Sequence, residues 1–236
     1  MNSRIISFTV VPLILTLCFS FSVKAQQTIF NVPSADITDK GVVYLEHESQ
    51  FRAWNPGPYW YGTNYFAYGF GKGIEGDITL YNVASPPSNN ISMGIGFKAG
   101  FPLFEKAYPK EELRWTVGSQ LLVGFEGQGV GYWGYTHLSG KIPEINTRLT
   151  VGISGMTRQL CGQNTIQFIG GIEQPITKKL SLIADWYSGK HTLGFFTSGV
   201  SVAVFKSTTI FLGYQIPNSR KAAGRQGLTF ELAQFF

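Results

Sequence analysis

Residues 113–125 alternate with a period of two, broken only at Ser119 and Leu122. Leu113, Trp115, Val117, Leu121, Val123 and Phe125 fall on one side, and Arg114, Thr116, Gly118, Gln120 and Gly124 on the other. A β-strand sends successive side chains to opposite faces, so this stretch is a strand with one apolar face and one polar or small face. The same rhythm returns along the whole chain. Ile91, Met93, Ile95, Phe97 and Ala99 alternate with small or polar partners, Leu149, Val151 and Ile153 oppose Arg148, Thr150 and Ser154, and Val200, Val202 and Val204 oppose Gly199, Ser201 and Ala203. The last ten residues place Leu228, Phe230, Leu232 and Gln234 on one face and Thr229, Glu231 and Ala233 on the other. Helical periodicity is poor throughout, and the chain carries 28 glycines and 15% aromatic residues, which favours strands over helices.

Counting these segments predicts about twelve strands in an all-β chain. Proline and glycine clusters separate them, among them Pro86-Pro87-Ser88-Asn89-Asn90, which is unsuited to a central strand. Only 14% of residues are charged, few for a surface in water. A soluble β-sandwich would bury the apolar faces between two sheets but would need charged outer faces, which most of these strands lack. A closed antiparallel barrel with its apolar faces toward lipid meets both constraints. An even strand number also returns both termini to one side, expected to be the periplasmic one.

Three regions follow. Arg4, the apolar run 5–21 and Val23-Lys24-Ala25 before Gln26 have the layout of a secretory signal peptide over residues 1–25, cleaved on export. Cys18 follows Leu17, too bulky for a lipoprotein signal, so no lipid anchor is expected. Residues 26–40 form a polar lead at the periplasmic mouth or partly inside, and 41–236 the barrel. Of the formal charge of +5, Arg4 and Lys24 contribute two, leaving a dispersed +3 that gives no case for nucleic acid. Cys161 then stands alone, with no disulfide partner and no metal-ligand spacing. No metal or other cofactor is expected.

The terminal strand, Gly227-Leu-Thr-Phe-Glu-Leu-Ala-Gln-Phe-Phe236, resembles the last strand of bacterial outer-membrane β-barrels. That resemblance implies an outer-membrane, porin-like protein whose Phe236 strand is read by the barrel-assembly machinery, with outer-membrane lipid and lipopolysaccharide as further partners. The basic segment Ser219-Arg220-Lys221 with Arg225 could touch lipopolysaccharide or simply be a solvated loop.

If apolar faces meet lipid, polar faces line the lumen. Glu46, Glu48, Asp77, Arg114, Arg148, Asp185 and Glu231 are the candidate pore-lining residues, with Arg158 placed on the seventh strand and Glu173 on the eighth. Closure sets Glu231 beside Glu46 on an acidic wall, with Arg114 and Arg148 opposite. This separation resembles the constriction of general diffusion porins and would bias ion passage. Twelve strands leave a lumen of about 10 Å at most. Passive passage of small solutes or ions is therefore expected, and a plugged, purely structural barrel is the alternative.

A non-enzymatic role is expected, against one exception. Some outer-membrane barrels are lipid hydrolases that use a His-x-Ser pair, and this spacing occurs at His47-Glu48-Ser49 and at His137-Leu138-Ser139. Residues i and i+2 of a strand point the same way, so each pair could hydrogen-bond. The Asn-Gly that follows the serine in phospholipase barrels is absent, and the sequence places no third, orienting group. His137 and Ser139 fall at the periplasmic end, so His47 and Ser49 are the better pair. The facing of residues 132–140 stays open. Gly69-Phe-Gly71-Lys-Gly73 ends a strand with no helix to follow and is no nucleotide loop.

Overall fold

The computed structural model describes residues 27–57, 59–85, 91–127 and 129–236. The signal peptide expected over residues 1–25, and residues 86–90, lie outside the described residues. Twelve strands follow in order: β1 (Val43–Phe51), β2 (Trp60–Gly71), β3 (Ile74–Ser85), β4 (Ser92–Pro102), β5 (Arg114–Gly124), β6 (Val130–Ile142), β7 (Thr147–Met156), β8 (Thr165–Pro175), β9 (Leu180–Tyr187), β10 (Phe195–Phe205), β11 (Thr208–Pro217) and β12 (Gly227–Phe235). Each pairs with its sequence neighbours, and β12 pairs antiparallel with β1, closing the barrel. Closure leaves no strand edge without a hydrogen-bond partner.

The start of β1 and the end of β12 share one end of the barrel, where Phe236 and Val43 exchange backbone hydrogen bonds. We call it the terminal end. A tight turn closes β2 and β3 there, with Gly71, Lys72 and Gly73 all at positive φ. At the opposite, loop end, two single-turn helices cap connections: α1 (Arg158–Cys161) after β7 and α2 (Arg220–Ala223) after β11. Arg158 thus opens α1 rather than continuing β7, because the strand already ends at Met156.

Polarity is inverted relative to a water-soluble fold. Ile95, Phe97, Leu121, Val151, Phe168, Leu182 and Leu212 are exposed on the outside, while Thr116, Gln120, Thr150, Gln167, Thr197 and Ser201 are buried inside. An apolar belt around a closed barrel is stable against hydrocarbon, not water. β6 keeps the rule: Val130, Tyr132 and Leu138 are exposed, and His137 and Ser139 are buried. That inward facing removes His137 and Ser139 from any lipid-facing pair. Phe235, the one break in the terminal alternation, turns inward onto Tyr44 with ring centroids 4.8 Å apart.

Candidate functional site

The lead enters the barrel. Residues 27–34 fold back on themselves as a small hairpin, with Ile29 N–H donating to Val32 O and Ser34 N–H to Gln27 O. Ile29, Phe30, Val32, Ser34 and Ala35 are buried within the lumen. Two inward-facing glycines make the room: a Cβ on Gly171 would collide with Ile29, and one on Gly213 would lie 2.7 Å from the Phe30 ring. Phe30 also meets Phe211 edge-on at 6.5 Å.

Polar contacts hold the insert at three levels. Asp185 Oδ2 accepts the backbone N–H groups of Phe30, Asn31 and Val32 at 3.0, 2.5 and 2.6 Å. Such a carboxylate clasp at the hairpin tip is charge-assisted, and each bond contributes about 1.5–3 kcal/mol. Lower down, Glu75 Oε2 accepts from Thr38 N–H at 2.6 Å and from Gln27 Nε2 at 3.0 Å, while Lys98 Nζ lies 3.2 Å from Glu75 Oε1. Near the terminal end, Arg114 Nη1 donates to Ala35 O at 2.9 Å. Arg148 sits 3.6 Å from Asp36 and 3.0 Å from Glu112.

Above the hairpin the lumen opens into a cavity of about 730 Å³. Thr28, Phe30 and Asn31 line it from the hairpin, Glu46, Glu48, Tyr65, Tyr81, Trp133 and Tyr187 from the wall, and α1 and α2 near the mouth. Arg52 ties that mouth together. Its Nη1 donates to Ala223 O at 2.9 Å, its Nη2 to Gln50 Oε1 at 2.7 Å, and it stacks 4.5 Å over the Phe195 ring.

The seven candidate lining residues therefore occupy different places. Glu46 and Glu48 face the cavity, and Glu48 lies directly opposite Glu231 across the β1–β12 seam. Glu46 accepts a hydrogen bond from Tyr44, and both carboxylate oxygens of the fully buried Glu231 lack a partner among the described residues. Asp77 accepts from Gln120 Nε2, and Asp185 holds the hairpin. Arg114 is the first residue of β5 and Arg148 the second of β7, so both stand at the terminal end, away from the level of the Glu48–Glu231 pair. The acidic wall and the arginines are separated along the barrel axis as well as across it.

Two residues of this interior carry no signal in the sequence. Lys98 looks like any polar partner in an alternating strand, and Gln27 lies in a segment without periodicity. Lys98 meets Glu75 as its direct partner in the β3–β4 register, and Gln27 reaches Glu75 because the hairpin enters the lumen.

The outer face holds a second constellation. His47 Nε2 lies 3.0 Å from Ser49 Oγ, and His47 Nδ1 lies 2.9 Å from Asn64 Oδ1. The third group that the sequence does not place is thus supplied by β2, whose Asn64 stands opposite His47 in the pairing register. Its trace in the sequence is parity: Asn64 shares the outward face of Phe66, Tyr68 and Phe70, where a polar residue is out of place.

Neither a protein-family model nor a curated protein matches the chain. Solved structures match its fold. The KdgM porin superimposes with a TM-score of 0.51 at 13% identity, covering 83% of this chain and 98% of that one. A second KdgM structure, in complex with disordered oligogalacturonate, gives 0.52 at the same identity and coverage. The NanC porin gives 0.51 at 9% identity, over 82% and 99% of the two chains. The fold is that of an outer-membrane porin barrel. At such identities the likeness is one of architecture, and what this barrel does is argued from its own interior.

Proposed function

We propose that this chain is an outer-membrane channel for small polar solutes or ions, with cations preferred and the N-terminal hairpin as its constriction. The observation that carries the reading is the hairpin-floored cavity of about 730 Å³ beneath the loop-end mouth, with carboxylates set in a largely aromatic wall. Its wall presents Glu46 and Glu48, with Glu231 behind the same seam. A low-dielectric barrel focuses the field of such a cluster, so cations gather and anions are repelled. The hairpin is held by hydrogen bonds and two glycine recesses rather than by a covalent link beyond the chain itself. It is a removable obstruction, and its displacement widens the path through the terminal end, which faces the periplasm in this reading.

Ion selectivity tests the charge assignment. Reversal potentials under a salt gradient should favour cations in the wild type and move toward anions in Glu48→Lys, with a smaller opposite change in Arg114→Glu. Unchanged selectivity in both variants would remove the role given to these residues. A barrel that is permanently plugged is the second reading, favoured by the number of contacts to Asp185 and Glu75, and it predicts no conductance under any of these conditions.

A further inference from the structure

We propose that the outer face of β1 and β2 carries a serine-hydrolase site, Ser49–His47–Asn64, that cleaves carboxylic ester bonds of acyl chains in membrane lipids. The inference is independent of the channel, because the site lies on the opposite side of the wall from the lumen.

The hydrogen bonds run in one direction. Trp60 Nε1–H donates to Ser49 Oγ at 3.1 Å. Ser49 O–H is then free to donate to His47 Nε2 at 3.0 Å, and His47 Nδ1–H donates to Asn64 Oδ1 at 2.9 Å. That is a nucleophile, a base that can take its proton, and an amide that orients the base, within hydrogen-bond reach of one another. The register explains why they meet. His47 pairs with Asn64 and Ser49 with Gly62 across the same strand pair. Gly62 is what lets the indole lie flat against the sheet, since a Cβ there would be 2.9 Å from the Trp60 ring.

Placement argues for a lipid substrate. Leu45, Phe66, Phe230 and Leu232 are the strand neighbours that surround the trio on the same face. Polar side chains are costly on a face that meets hydrocarbon, and those that stand there mark function by default. Ser49 is two residues short of Phe51, the end of β1, so it sits about 7 Å inside the loop end of the strand. A bilayer whose interface meets the end of the strand sets Ser49 near the headgroup–acyl boundary, where ester carbonyls and water are both present.

The reaction balances with water as co-substrate. Ser49 Oγ adds to the ester carbonyl as its proton passes to His47 Nε2, and the Trp60 N–H beside Oγ is a donor for the developing oxyanion. The C–O bond to the lipid alcohol breaks, and His47 returns the proton to that oxygen. Water then adds to the acyl-Ser49 ester and gives a proton to His47. The acyl C–Oγ bond breaks, His47 returns that proton to Ser49 Oγ, and the fatty acid leaves.

The test uses the folded, full-length mature barrel. Fatty-acid release is measured from phosphatidylethanolamine vesicles and from purified lipopolysaccharide, which separates the two sources of acyl ester in an outer membrane. A fluorophosphonate probe should add to Ser49 and not to the Ser49→Ala chain. Release from at least one lipid should fall about 10³-fold or more in Ser49→Ala and in His47→Gln. Asn64→Ala should lower kcat with little change in KM, and Asn64→Asp should restore it, as expected of a positioning residue. Absence of release from both lipids by a barrel shown to be folded overturns the proposal, as does release that survives Ser49→Ala. Channel conductance should be unchanged in Ser49→Ala, which separates failure of this site from failure of the channel reading.

Discussion

Ile29 occupies the space that a side chain on Gly171 would fill. The barrel wall is therefore cut to receive the N-terminal hairpin, and enlarging the wall should expel it. In Gly171→Val the segment before β1 should become accessible to protease while the strands stay protected. Mass spectrometry after limited proteolysis would show it: fast loss of the first residues in the variant and slow loss in the wild type. Equal rates would mean that the recess does not hold the hairpin.

Asp185 anchors the hairpin tip through three backbone N–H groups on one oxygen. Asp185→Ala removes the acceptor and leaves donors that cost about 1–3 kcal/mol each when unsatisfied in a protein interior. Amide exchange at Phe30, Asn31 and Val32 should accelerate by roughly tenfold or more per 1.4 kcal/mol lost, with the strand amides little affected. Exchange unchanged at these three amides would contradict the anchor.

Lys98 and Glu75 form a buried ion pair at 3.2 Å, both side chains almost completely inaccessible. Breaking one partner of such a pair typically costs about 3–5 kcal/mol, whereas replacing both by apolar residues is often neutral. Lys98→Met should lower the denaturant midpoint of the refolded barrel more than the double variant Lys98→Met/Glu75→Leu does. A double variant as unstable as the sum of its singles would show that the two residues act separately.

Cys161 is buried at the end of α1, with its thiol donating to Gln163 O at 2.7 Å. Burial pushes the thiol pKa above its ordinary value. The thiolate is the reactive form, so alkylation by iodoacetamide at pH 8 should be slow in the folded barrel and fast after denaturation. Comparable rates would place α1 away from the barrel mouth.

Much of this architecture is legible in the sequence because the lipid and the lumen impose a period of two. Ile95 and Phe97 point out and Gln120 and Asp185 point in, as their parity requires. Glu231 meets the carboxylates of strand one because strand twelve closes on it, although the register sets Glu48 rather than Glu46 opposite. The hairpin is not legible in the same way. Gln27 to Lys40 has no periodicity, and its anchors are long-range: Phe30 meets Asp185 across 155 positions. Asn64 was hidden for a different reason. Its pairing with His47 depends on where the Arg52–Tyr59 loop turns, and a bulge between Gly62 and Asn64 shifts the next register.

In the channel proposed above, the lumen conducts and the N-terminal hairpin limits it. The most direct test is planar-bilayer conductance of the refolded barrel, with and without residues 27–36. Small, cation-selective steps are expected in the wild type and larger, steadier ones when the hairpin is removed. Equal conductance in the two chains, or silence from both when each is shown to be folded, would contradict it.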